Sequence, residues 1–178
     1  MGVFDTILAE VDGKEVELQT KWRLFFVKGK GICAEVYNIR KTPYGADLWI
    51  EGYAVLDPLR DKVDLPDYDW CALNTYRVGD IIENKWRILE VDVGIAAAFM
   101  KVEGNICEEK FAKEDTKWGT LLVAEIEDVG RVEVVPGDTA YYVKIYFREK
   151  IRLSEEKKAE EKIIKALNTL FENWNLVD

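Results

Sequence analysis

Apolar and polar residues alternate in twos along most of this chain, and the period changes once, near residue 150. The clearest alternation runs from Lys14 to Val27. Val16, Leu18, Thr20, Trp22, Leu24 and Phe26 fall on one face, with Glu15, Glu17, Gln19, Lys21 and Arg23 on the other. A period of two is the signature of a half-buried strand. Asp12-Gly13 immediately before it is a hairpin turn, which pairs this strand with Phe4 to Val11. A second clear strand spans Thr139 to Glu149, where Tyr141, Val143, Ile145 and Phe147 alternate with Tyr142, Lys144, Tyr146 and Arg148. Further strands are expected near 32–40, 46–56, 81–92, 95–102, 119–127 and 131–135, separated by Gly- and Pro-containing turns. The run Ile95 to Met100 also suits a short helix.

After Arg152 the period becomes helical. Ser154 reads as an N-cap, followed by Glu155 and Glu156 where the helix dipole favours anions. Ile163, Ile164, Leu167, Leu170, Phe171 and Trp174 form one stripe at steps of three and four, predicting a helix from Ser154 to about Trp174. The fold class that follows is mainly β, an antiparallel barrel or two-layer sandwich of roughly 8–10 strands with one C-terminal amphipathic helix packed on it. Residues 1–150 make the β body, and 151–178 the helix, within the same domain. So apolar a stripe must seal the body or bury itself against another chain.

Residues 57–72 break the rhythm with two prolines and five aspartates, and read as an ordered acidic loop. The loop would join two halves, about 1–56 and 73–150. Lys21-Trp22-Arg23-Leu24 in the first is echoed by Lys85-Trp86-Arg87-Ile88 in the second, without the fixed period of a true repeat array.

Composition narrows the chemistry. There is no histidine, and the one serine, Ser154, sits at the helix start. That removes imidazole acid–base catalysis, His-activated nucleophiles and His metal sites, so no catalytic residue is assigned. Cys33, Cys71 and Cys107 form no CxxC pair, which excludes a zinc ribbon and a thioredoxin-type motif. Charged residues make up 33% of the chain, a thermophile-like balance when thermolabile side chains are this few. Net charge is −9, and the segment from Lys150 onward is neutral, so the excess lies on the β body. An acidic body repels phosphate backbones, and no nucleic-acid partner is expected. Met1-Gly2 with Thr6 fits the loose myristoylation pattern but lacks a second membrane signal. No membrane association and a cytoplasmic location are the expectation.

Two sets of residues are candidates for function. Asp64, Asp67 and Asp69 in the acidic loop carry the hard oxygen ligands that Ca²⁺ or Mg²⁺ takes, although the spacing matches no EF-hand. Tyr68 and Trp70 on the same loop, with Tyr142 and Tyr146 on the outward face of the 139–149 strand, are aromatics flanked by charge that suit a protein interface. The leading reading is a non-enzymatic protein-binding protein, which engages another protein or self-associates through its C-terminal helix. The alternatives are a carrier of a small apolar ligand in a helix-capped barrel, a divalent-metal or carboxylate-dependent enzyme using the Asp57–Asp69 loop, and an acidic inhibitor of a nucleic-acid-binding protein.

Overall fold

A computed structural model of the chain describes residues 5–11, 13–27, 31–59, 75–82, 84 and 86–178, with the side chains of 22–27, 31, 32 and 58 excepted. The described residues are mainly β, with a single α-helix near the C-terminus. They form two compact units, Met1–Asn38 with Ile50–Gly94, and Ile39–Trp49 with Ile95–Asp178.

In the first unit, β1 (Asp5–Val11) and β2 (Lys14–Val27) form the expected hairpin, in register from Val11 opposite Lys14 to Asp5 opposite Thr20. Leu18 and Thr20 are buried, while Glu15, Glu17, Gln19 and Lys21 are exposed, as the alternation requires. The Thr20 hydroxyl is satisfied by donating to the Glu35 carbonyl at 2.8 Å. The order continues through β3 (Gly31–Lys41) and β4 (Asp47–Pro58) to β7 (Trp86–Ile106), strands that run on into the second unit. On the other side of β1 lies β5 (Thr75–Arg77), paired in parallel, and β6 (Ile81–Ile82) pairs with β7. The turn between β5 and β6 reaches β7 as well. Gly79 N–H donates to the Ile88 carbonyl at 2.7 Å, and Ile88 N–H to the Asp80 carbonyl at 3.0 Å. The 78–80 turn is therefore tied to β7 at Ile88. Gly52 fixes the spacing of β4 and β7, because a Cβ there would lie 1.9 Å from the Asp92 carbonyl oxygen.

In the second unit β7 neighbours β11 (Tyr141–Arg152), followed by β10 (Gly130–Pro136), β9 (Gly119–Ile126) and β8 (Ala112–Thr116). The segment 95–100 is strand, the middle of β7. Each antiparallel hairpin here keeps its register, and Val143 and Ile145 bury with Val132 and Val134 while Tyr142 and Tyr146 point out.

The C-terminal helix is shorter than its apolar stripe. α1 spans Glu156–Leu170 and buries Ala159, Ile163, Ala166, Leu167 and Leu170, packing against β11 and the strand that follows it. Phe171 and Trp174 are not helical; they begin β12 (Phe171–Val177), which pairs with the far end of β7. The reason is local. Phe171 adopts an extended conformation at the C-cap, and its ring meets Tyr141 edge-on with centroids 5.6 Å apart. Asn173 then takes a left-handed φ of 51° at a register shift, where Gly104 leaves room for the Trp174 backbone. Ser154 likewise does not cap α1. It lies in a 3-10 turn, and the cap position is Glu155, without a side-chain cap bond. The helix is held from another side, by Lys162 donating to the Asp128 carbonyl and Lys165 paired with the Asp128 carboxylate at 3.5 Å.

Candidate binding surface

The outward face of β11 carries Tyr142, Lys144 and Tyr146 in alternation, and the second unit builds a surface around them. Register places Val135 opposite Tyr142, Glu133 opposite Lys144, and Arg131 opposite Tyr146. Val135 and Tyr142 are 46% and 55% exposed, so an apolar pair stands side by side in solvent. Trp49 of β4 and Phe99 of β7 add two more rings, 5.7 Å apart and tilted by 49°. The Lys144 ammonium sits among these aromatics, 4.4 Å from the Tyr146 ring centroid, 4.6 Å from Phe99 and 5.9 Å from Trp49. Lys101 approaches the Tyr142 ring at 6.0 Å. Ring quadrupoles attract such cations, which holds the rings and amines in one geometry.

Acidic neighbours are engaged at the other edge. Arg131 reaches Glu114 at 3.2 Å and Glu133 at 3.5 Å, and Arg148 reaches Glu125 at 3.6 Å. Desolvation works against the Arg131 charge, but the two carboxylates outweigh it and raise its pKa. The β8–β9 hairpin ends in Thr116-Lys117-Trp118-Gly119, closed by Thr116 Oγ1 donating to the Gly119 carbonyl at 2.7 Å. At its tip the Trp118 side chain is 94% exposed. Burial of an indole is a large part of the hydrophobic driving force in interfaces, so a tryptophan left in water is informative.

Of the residues expected from sequence to bind a partner, Tyr142 and Tyr146 lie on this surface, with both side chains accessible. C-terminal helix α1 does not cover them. Tyr68 and Trp70 lie outside the described residues, as do the metal candidates Asp64, Asp67 and Asp69. Among the described residues no cluster of three acidic or thiol ligands is placed to hold a metal ion. Cys33 and Cys107 are free thiols, and burial pushes the Cys33 pKa up. No described helix is long and apolar enough to cross a membrane. Sequence reasoning missed Trp118, Trp49, Phe99, Lys101 and the role of Lys144. The strand alternation did place Lys144 between the two tyrosines. Trp49 and Phe99 had no comparable signal, because their meeting depends on which strands are neighbours.

A concavity of about 200 Å³ lies between α1 and the 42–46 turn, walled by Tyr44, Ile163, Ile164, Leu167, Trp174 and Leu176. It is almost wholly apolar.

No family model, curated protein or solved structure matches this chain.

Proposed function

We propose that this chain is a non-enzymatic protein-binding protein whose partner meets the outward face of β9, β10 and β11. The observation that carries the reading is the exposed pairing of Tyr142 with Val135, close in sequence register to the hairpin that presents Trp118. Tyr, Trp and Arg are the side chains that dominate interface energetics, and here they stand on a rigid hydrogen-bonded scaffold. The absence of histidine and the presence of a single serine leave acid–base and nucleophilic chemistry few tools.

The test is capture of proteins from the source cells by the immobilised chain, compared with Trp118→Ser and Tyr142→Ser proteins. At least one protein held by the parent chain should fall tenfold or more with each substitution. An unchanged set of captured proteins, with both variants folded, contradicts the proposal.

The apolar concavity beside α1 favours a second reading, a carrier of a small apolar ligand. Its size exceeds the roughly 150 Å³ of a dry engineered cavity that binds benzene. Native mass spectrometry of the purified chain checks it, with a co-purifying lipophile expected on this reading and a bare chain against it.

A further inference from the structure

Ile163, Ile164, Leu167 and Leu176 wall the concavity between α1 and the 42–46 turn, and Tyr44 and Trp174 add two rings. Ile164 and Tyr44 are exposed, so the walls keep apolar surface in water that a ligand would cover. Both sides are fixed by hydrogen bonds. Thr42 N–H donates to the Ala46 carbonyl at 2.8 Å, and the Trp174 indole N–H donates to Asn168 Oδ1 at 2.8 Å. One charged side chain lines the concavity, the half-buried Glu160, a helical turn before Ile163 and Ile164. The neighbouring cations are committed elsewhere. Arg40 is held by Glu156 at 3.6 Å, while Lys162 and Lys165 turn to Asp128. Lys41, beside the turn, lines a separate groove with Glu133 and Asp178. Lys157 and Lys158 are exposed, and neither pairs with Glu160. Among the described residues the Glu160 carboxylate has neither an ion pair nor a hydrogen bond.

We infer that this concavity takes a small apolar amine, its ring or chain against the aliphatic and aromatic walls and its ammonium at Glu160. A volume of about 200 Å³ lies below the roughly 300–1,000 Å³ of drug-sized sites and suits one ring with a short chain. An anion of the same shape would meet the Glu160 carboxylate and no cation of the wall. The site is the one the carrier reading uses, so the assignment rests on that reading and narrows its ligand to a cation.

The experiment is NMR titration of the full chain with three compounds of one skeleton: 3-phenylpropylamine, 3-phenyl-1-propanol and 3-phenylpropanoate. The amine should bind saturably and shift the Trp174 indole N–H resonance. The alcohol should bind at least about threefold more weakly, and the propanoate more weakly still. Glu160→Gln should bring the amine down to the affinity of the alcohol and leave the alcohol unchanged. Added salt should weaken the amine and not the alcohol. Alcohol binding within about threefold of the amine, or amine binding that Glu160→Gln leaves unchanged, overturns the assignment of charge and leaves the carrier reading standing. The order of the three compounds on the unaltered chain decides the matter should Glu160→Gln not fold. Saturation that leaves the Trp174 resonance unmoved overturns the site. Binding of none of the three overturns the assignment and the carrier reading together.

Discussion

The Lys144 ammonium lies within 6 Å of three ring centroids and pairs with no carboxylate among the described residues, so its contribution should be read in stability. Lys144→Met keeps most of the stem and removes the charge, and should cost about 1–2 kcal/mol in urea unfolding. A neutral effect would show that the rings hold their places without it. Gly52 makes a sharper demand, since a Cβ would meet the Asp92 carbonyl oxygen at 1.9 Å and the Val93 Cα at 2.8 Å, both backbone atoms. Gly52→Ala must push β4 from β7, and a loss above about 3 kcal/mol is expected from the same unfolding measurement. The neighbouring Tyr53 predicts a pH effect. The charge of Asp92 first, then the hydrogen bond between the two side chains, raises the Tyr53 pKa above the ordinary 10.0. A raised folded-state pKa means that the folded chain holds this proton more tightly than the unfolded one. The associated stability is complete below pH 10.0 and is lost as pH rises through the folded value. Asp92→Asn should move the Tyr53 titration back down, as followed by tyrosinate absorbance or NMR. An unmoved titration would remove Asp92 as the cause.

At the scale of elements, α1 shows what a hydrophobic stripe can and cannot specify. Ile163, Leu167 and Leu170 are buried as the spacing requires, while Ile164, on the same stripe, is 43% exposed. Leu167→Ala should therefore destabilise by about 2–5 kcal/mol in thermal or denaturant unfolding. Ile164→Ala should cost less than about 1 kcal/mol, and equal costs would mean that the helix is seated differently. Phe171 and Trp174 continue the helical spacing but belong to β12, because β7 offers an open edge from Lys101 to Ile106 that a seven-residue strand can pair with. Periodicity reports local amphipathicity and is blind to that edge. The same limit explains the parallel pairing of β1 with β5. Hairpins were legible because their turns, such as Asp12-Gly13, are written in adjacent residues. Of the site, the alternating side chains of β11 could be read directly. The approach of Trp49 and Phe99 to Lys144 depends on β4, β7 and β11 being successive neighbours, which no local pattern encodes.

At the scale of the molecule, the second unit has two unlike sides on its β11 strand. Val143 and Ile145 are inside, on a strand that α1 packs against, and Tyr142, Lys144 and Tyr146 are outside. Most of the apolar stripe of α1 is buried within its own chain, with Ile164 left partly exposed, and on the proposed reading the exposed aromatic residues are the surface offered to a partner. On the proposed function these outward aromatics serve binding and not folding. The most direct measurement takes Tyr142→Ser and Trp118→Ser proteins and reads melting temperature beside partner capture. Melting should stay within about 2 °C of the parent, since surface substitutions stay within about 0.5 kcal/mol, together with a tenfold or greater loss of a captured protein. A large drop in melting temperature, or capture that does not change, would contradict it.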